Sequence, residues 1–256
     1  MKRSFSLLIL CLLLMASCTG PEHKEKKFMA DMQSEDVEKA TQAFNDFCMW
    51  LQSDKSTMDY DFPLMREQMA LKAVTSPDGK FRAISWITGV NEGIPSYANV
   101  LQWKHGDDFV GFCGPVDALI AGRKASVAKR ANSPHRLDTI FEIDGGIFPV
   151  YLLVQSLNSE EGKCRAYTSA MFLNGISLQL LPNFFDGNEI AGNNDYVNDG
   201  SINAAKLFKY DEKTRMYYAY QTDDNDNIVP GKYTVFKLEG DRYVHVDTPD
   251  STDNNQ

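Results

Sequence analysis

The chain has 256 residues, of which 43% are hydrophobic, and a formal net charge of −9 at pH 7. This length suits one substantial domain. The acidic balance argues against nucleic acid as a partner, because binding a phosphate backbone needs clustered lysine and arginine.

The N-terminus carries the pattern of an export signal. It begins MKRS, continues with an apolar stretch from Phe5 to Met15, and ends in the small pair Ala16-Ser17 before Cys18. The apolar stretch has the length of a secretory signal and falls short of the roughly 20 residues of a membrane span. The segment before Cys18 resembles the lipobox of bacterial lipoproteins, with Met15 where leucine is commonest. The resemblance implies a lipid on Cys18; the alternative is ordinary cleavage near Ala16.

Residues 18–34 are polar, mixed in charge and without periodicity, which predicts a flexible tether. Thr19, rather than aspartate, follows the cysteine and favours the outer membrane over inner-membrane retention, with the leaflet left open. The predicted organisation is a signal peptide at 1–17, a tether at 18–34, one β-rich domain at 35–246 and a disordered tail at 247–256.

Two helices are predicted next. Ser34 is the expected N-cap of the first, which ends near Gln52 and has apolar residues at helical spacing: Val37, Ala40, Phe44, Phe47 and Leu51. The second begins at Pro63, a favoured first helical residue, and runs to Ala73.

Strands separated by turn residues dominate the remaining chain. They are predicted at 80–88, 97–104, 108–112, 137–143, 148–157, 163–173, 176–181, 205–210, 215–221, 232–238 and 241–246. Asn174-Gly175 is a strong hairpin signal. The fold class is therefore mainly β (α+β), an antiparallel meander arranged as a small propeller-like body or one curled sheet.

Two segments interrupt the strands. Residues 116–136 predict a helix that carries basic residues, either a site for an anionic glycan or lipid headgroup or a solvated face. Residues 186–201 predict a long polar loop, functional or disordered.

Three cysteines remain in the predicted mature chain besides Cys18: Cys48, Cys113 and Cys164. They fit no zinc pattern, and the sequence leaves open whether two form a disulfide or all are buried thiols.

Two groups of residues are candidate ligand sites. Asp223, Asn225 and Asn227 alternate as the oxygen ligands of a Ca²⁺ loop do, but Ile228 stands where such a loop needs glycine; a hairpin tip is the alternative. Trp86 and Trp103 lie on strands predicted to be neighbours, as a sugar-stacking platform or as core residues.

Two motifs carry a family resemblance. The run Asp78-Gly79-Lys80-Phe81-Arg82 with Ser85-Trp86 is one, and the hairpin from Lys206 to Lys213 is the other. Both are similar to motifs of an uncharacterised family of Gram-negative envelope lipoproteins with a DGKFRxxSW-type strand. The departures are Ala83-Ile84 and a longer turn at 89–93. The resemblance implies an envelope location and no activity, so it assigns no catalytic residue.

No nucleophile elbow and no histidine metal motif is present. We therefore expect a noncatalytic envelope lipoprotein that binds a ligand, such as a glycan, or another envelope protein. The alternative is a hydrolase acting on glycan or peptidoglycan, whose two carboxylates would meet in a pocket.

Overall fold

The computed structural model describes residues 20–91, 93–114, 133–144, 148–158, 162–174, 177–188, 190–192, 195–198 and 202–246. The predicted signal peptide, Cys18, the predicted tail and most of the helix predicted at 116–136 lie outside these residues. The chain divides into two compact units, Met1–Leu71 and Lys72–Gln256. The predicted β-rich domain with N-terminal helices, 35–246, spans parts of both units.

The first unit is helical. Its elements are α1 (Pro21–Met32), α2 (Val37–Ser53), the 3₁₀ turn Lys55–Thr57 and α3 (Pro63–Gln68). α1 occupies residues predicted as flexible tether, and that prediction is wrong for this stretch. The reason is that Glu25 and Met29 are both buried on one face of α1, so a charged residue stands where an amphipathic pattern needs an apolar one.

The buried Glu25 links α1 to the start of α3 and to the residues before it. Its Oε2 accepts a hydrogen bond from the Tyr60 hydroxyl at 2.6 Å, and its Oε1 accepts one from the backbone N–H of Met65 at 2.9 Å. Met65 is the third residue of α3, where the backbone N–H has no partner within the helix. Burial and the Glu25 carboxylate together raise the pKa of Tyr60. We interpret this acid as structural.

α2 begins two residues later than predicted. The Asp36 carboxylate, rather than Ser34, caps it by accepting hydrogen bonds from the backbone N–H groups of Glu38 and Lys39 at 3.0 and 3.2 Å. Its buried face carries the predicted apolar residues Phe44, Phe47 and Leu51. α3 begins at Pro63, as predicted, but ends at Gln68 rather than Ala73, and residues 72 and 73 lie in a strand instead.

The second unit consists of three antiparallel sheets, which confirms the mainly β, antiparallel-meander prediction. The first sheet has the order β1 (Lys72–Thr75), β2 (Phe81–Asn91), β3 (Ile94–His105), β4 (Asp108–Cys113). The third has the order β11 (Phe208–Asp211), β12 (Met216–Thr222), β13 (Ile228–Glu239), β14 (Arg242–Val246). A second 3₁₀ turn, Ala204–Lys206, precedes β11.

The middle sheet contains β5 (His135–Asp144), β6 (Pro149–Asn158) and β7 (Lys163–Asn174). Three short strands pair with β7 along its other edge: β8 (Ser177–Leu180), β9 (Ile190–Ala191) and β10 (Asp195–Val197). The β7–β8 hairpin follows the Asn-Gly signal, with Asn174 paired to Ser177. β9 and β10 lie within the stretch predicted as a polar loop.

Residues on the two faces of the middle sheet belong to different hydrophobic clusters. One cluster contains Tyr151 and Leu153 together with Phe81 of the first sheet. The other cluster contains Leu152 and Val154 together with Tyr217 of the third sheet. Alternation of side chains along β6 separates the two sets. One face of the middle sheet thus packs against the first sheet and the other face packs against the third. The three meanders are separate sheets and do not form one curled sheet.

Candidate functional site

The predicted tryptophan platform does not exist. β2 and β3 are neighbours, as predicted, but Trp86 pairs with Ala98 whereas Trp103 pairs with Phe81. Ala98 and Trp103 are an odd number of residues apart on one strand, so the two indoles point to opposite faces of the sheet. Trp86 is 0% exposed and Trp103 is 3% exposed. The two indoles therefore form no shared solvent-facing platform, and both are buried, as their alternative interpretation as core residues expects.

The predicted calcium loop is the exposed tip of the β12–β13 hairpin. The Asp223 carboxylate accepts hydrogen bonds from the backbone N–H groups of Asn225 and Asn227, each at 2.9 Å. These bonds and the Asn227 side-chain amide lower the pKa of Asp223. The carboxylate is thus engaged in a turn, and the hairpin-tip alternative is confirmed. Among the described residues, no group of three or more His, Cys, Asp or Glu side chains is placed to hold a metal ion.

The three cysteines of the described chain, Cys48, Cys113 and Cys164, are free and buried. The Cys164 thiol donates a hydrogen bond to Oδ1 of Asn158 at 3.0 Å, and burial raises its pKa. A buried thiol with a raised pKa is a poor nucleophile, so we interpret Cys164 as a packing residue.

A buried aspartate lies between the first and middle sheets. The Asp138 side chain is 0% exposed, and its Oδ1 forms ion pairs with Lys72 at 3.1 Å and with Arg136 at 2.8 Å. Oδ2 accepts a hydrogen bond from Ser156. Arg136, which ended the basic stretch of the sequence, is thus engaged by a carboxylate. We interpret the group as a structural ion-pair network.

Two further carboxylates meet at the edge of the same interface. Asp78 lies in the β1–β2 turn, and its backbone N–H donates a hydrogen bond to Oε2 of Glu142 on β5 at 2.8 Å. The Tyr151 hydroxyl donates to Oδ2 of Asp78 at 2.9 Å. The Ser76 hydroxyl and the Lys80 backbone N–H donate to Oδ1 of Asp78 at 2.6 and 3.0 Å.

The pKa values of these two acids are displaced in opposite directions. Burial favours the protonated form of Asp78, but hydrogen bonds from Ser76, Lys80 and Tyr151 outweigh it and lower the pKa of Asp78. Burial, followed by the nearby Asp78 charge, raises the pKa of Glu142. Acid–base pairs in hydrolases show such a divergence. Both Asp78 oxygens are, however, occupied by hydrogen bonds within the fold, so this carboxylate is committed to the turn.

An apolar pocket lies at the other side of the middle sheet. It has a volume of about 190 Å³ and is lined by Phe148, Val150, Phe172, Leu181, Phe184, Leu238, Gly240 and Asp241. The wall comes from β6, β7, the segment after β8 and the β13–β14 hairpin. Phe148 at its rim is 48% exposed, an unusual exposure for phenylalanine. Among the described lining residues, apolar side chains surround one carboxylate, a composition typical of small-molecule sites.

The hairpin that forms one wall of the pocket is fixed in place. Glu239 pairs with Arg242, which leaves Gly240 and Asp241 as a two-residue turn, and Gly240 has the positive φ of 67° that such turns require. The backbone N–H of Tyr243 donates to the Phe184 carbonyl at 2.7 Å, and the N–H of Asp186 donates to the Tyr243 carbonyl at 2.6 Å. The segment after β8 is therefore hydrogen-bonded to the outer edge of β14, and both walls are held by backbone contacts.

Comparisons with known proteins give no family. No protein-family model, no curated protein and no solved structure matches the chain significantly. No helix in the described part of the chain is long and apolar enough to cross a membrane.

Proposed function

We propose that this chain is a lipid-anchored protein of the bacterial cell envelope whose β unit binds a small ligand with an apolar body, without chemical conversion. The anchor is a lipid on Cys18, and the destination is the outer membrane. The order of basic start, apolar stretch, small pair and cysteine at residues 1–18 supports the anchor. The motif resemblance to envelope lipoproteins supports the same location.

The observation that carries the binding proposal is the apolar pocket. An open cavity lined by phenylalanine, leucine and valine exposes apolar surface to water, and a ligand that covers this surface gains about 25 cal/mol per Å². Backbone hydrogen bonds hold two of its walls, so little ordering has to accompany binding. This geometry favours a small molecule over the glycan or protein partner expected from sequence.

The test of binding is a titration of the full-length chain with hexan-1-ol, a probe whose apolar part matches the pocket. We expect saturable binding that is lost in Leu181→Trp, in which the indole occupies the cavity. Val197→Ala, a change at an exposed residue outside the lining, is the matched control and should bind as the parent does. Equal binding by the Leu181→Trp chain would refute the assignment of the pocket.

The test of anchoring is metabolic labelling with radioactive palmitate in a Gram-negative host. Cys18→Ser should lose the label and leave the outer-membrane fraction. Cys11→Ser, which changes a cysteine inside the apolar stretch, should keep both. Label that persists without Cys18 would contradict the anchor.

The hydrolase alternative rests on the opposite pKa displacements of Glu142 and Asp78. It predicts turnover of peptidoglycan fragments or chito-oligosaccharides that disappears in Glu142→Gln while the fold remains intact. Absence of turnover by the parent chain across these substrates would eliminate the alternative and leave the two acids as a structural pair.

A further inference from the structure

Among the lining residues that the structure describes, one carries a charge. Seven of these eight are apolar side chains or glycine, and the eighth is Asp241. With the residues that the structure describes, Asp241 forms neither a hydrogen bond nor an ion pair, whereas Asp78, Asp138, Asp195 and Asp223 all do. The Asp241 carboxylate therefore has no ion-pair partner in the part of the chain described.

The position of Asp241 is fixed by its turn. Because Gly240 and Asp241 form a two-residue connection between paired strands, the Asp241 Cα cannot swing away from the pocket without opening the hairpin. A carboxylate on a rigid turn next to an apolar wall selects ligands by charge, since like charges placed together are disfavoured and opposite charges attract.

The volume limits the apolar part of the ligand. A cavity of about 150 Å³ lined by similar side chains accommodates one benzene ring. The present pocket, at about 190 Å³, has room for one six-membered ring or a chain of roughly six to eight carbons. Longer chains would leave their remaining carbons in water.

We propose that the ligand is a cationic amphiphile, namely an ammonium group attached to an apolar body of about six to eight carbons, whose body fills the pocket and whose charge faces Asp241. This inference rests on the proposed function, because it names the ligand class of the same pocket. The chain's net charge of −9 favours the same sign of ligand over a fatty acid of equal length.

The experiment compares three probes with the same six-carbon chain: hexylamine, which is protonated at pH 7, hexan-1-ol and hexanoate. Each is titrated calorimetrically into the full-length chain in nanodiscs of neutral phosphatidylcholine, with empty nanodiscs subtracted. We expect affinity to fall in the order amine, alcohol, carboxylate, with about fivefold between the extremes, the size of one partly exposed charge pair. The difference should shrink when salt is raised, because exposed charges are screened.

Asp241→Asn tests the carboxylate directly. It keeps the size of the side chain and should bring the affinities of hexylamine and hexanoate together, while leaving that of hexan-1-ol unchanged. Asp224→Asn is the matched control, since Asp224 is an exposed acid of the β12–β13 turn outside the pocket lining. The preference for the amine should survive that change.

Chain length tests the size limit. Affinity should rise about fourfold per methylene from butylamine to a length between hexylamine and octylamine, and then level off. Leu238→Phe, which fills the cavity with a smaller change than Leu181→Trp, should move the plateau to shorter chains. A steady rise through decylamine would overturn the size assignment.

The outcomes separate the two proposals. Binding of hexanoate as tight as that of hexylamine, or an amine preference that persists in Asp241→Asn, would overturn the ligand class and leave the binding site standing. Failure of all three probes to bind a chain that melts cooperatively would overturn both.

Discussion

The middle sheet contacts its two neighbours through different chemistry. Towards the first sheet, a hydrophobic cluster that includes Phe81 and Leu153 is accompanied by buried carboxylates: Asp78 accepts the Tyr151 hydroxyl, and Asp138 pairs with Lys72. Towards the third sheet, rings dominate. Tyr217 is fully buried, lies within about 6 Å of the rings of Phe141, Phe185, Phe208 and Tyr243, and shares a hydrogen bond with Thr168.

This difference separates two ways of joining sheets. Burying aromatic area stabilises an interface in proportion to that area and depends little on pH. Carboxylates with hydrogen-bond partners contribute less to the free energy of unfolding. Their contribution depends on pH, because a protonated carboxyl group loses part of its capacity to accept hydrogen bonds. The two faces of one sheet should therefore respond differently to mutation and to acid.

The largest effect is expected from Tyr217→Ala. Removing this ring should lower the free energy of unfolding by about 3–5 kcal/mol, as for other large aromatic residues in cores. The adjacent Tyr218 lies on the opposite face of β12 and is half-buried, so Tyr218→Ala should cost about 1 kcal/mol. Urea unfolding followed by near-UV circular dichroism measures both. Equal losses would show that the buried face of β12 contributes no more to stability than its half-buried face.

An intermediate effect is expected from Asp78→Ala. The change leaves the buried Tyr151 hydroxyl and the Ser76 hydroxyl without their acceptor, which should cost about 2–3 kcal/mol. Asp223→Ala removes a carboxylate with a similar turn role at an exposed hairpin tip and should cost less. The same urea experiment compares them, and a larger loss for Asp223→Ala would contradict the importance of the carboxylate interface.

The sequence predicted most of the β structure, because its strands alternate apolar and polar residues and end at Gly, Pro or Asn-Gly signals. β9 and β10 escaped prediction since Ile190 and Tyr196 are isolated apolar residues in a polar stretch, and their pairing with β7 is a long-range contact. α1 escaped because its buried face includes Glu25, whose partner Tyr60 lies far along the chain.

The candidate site was not predictable from the sequence. Its described lining comes from four separated segments, and most of these residues, taken alone, are ordinary apolar residues of strands or of the connections between them. Phe148 was predicted to begin an apolar strand, but only packing shows that its side chain stays 48% exposed. Similarly, neighbouring strands were predicted for Trp86 and Trp103, whereas the faces they point to depend on the register, which local patterns do not fix.

The smallest effect is expected from Glu142→Gln, and its sign is opposite to that of Asp78→Ala. The pKa of Glu142 is raised above its ordinary 4.5 by burial and by the Asp78 charge, with Glu212 adding to it. The folded chain therefore holds a proton that the unfolded chain has released, so stability rises as pH falls from neutrality towards 4.5. Glutamine carries no charge and still offers an oxygen to the Asp78 N–H. It should stabilise the fold at pH 7 by less than about 1 kcal/mol and abolish that rise.

Thermal unfolding between pH 7 and pH 3 measures the contributions of Glu142 and Asp78 to the stability of the fold. The pKa of Asp78 is lowered, so its stabilisation is complete above its ordinary 3.8 and is lost as pH falls below that value. The parent should gain stability on mild acidification and lose it below about pH 3.8, whereas Glu142→Gln should show only the loss. Glu212→Gln removes a weaker influence on the same carboxyl and should reduce the gain without abolishing it. A parent curve that is flat from pH 7 to pH 3 would mean that this interface, like the aromatic one, does not depend on charge.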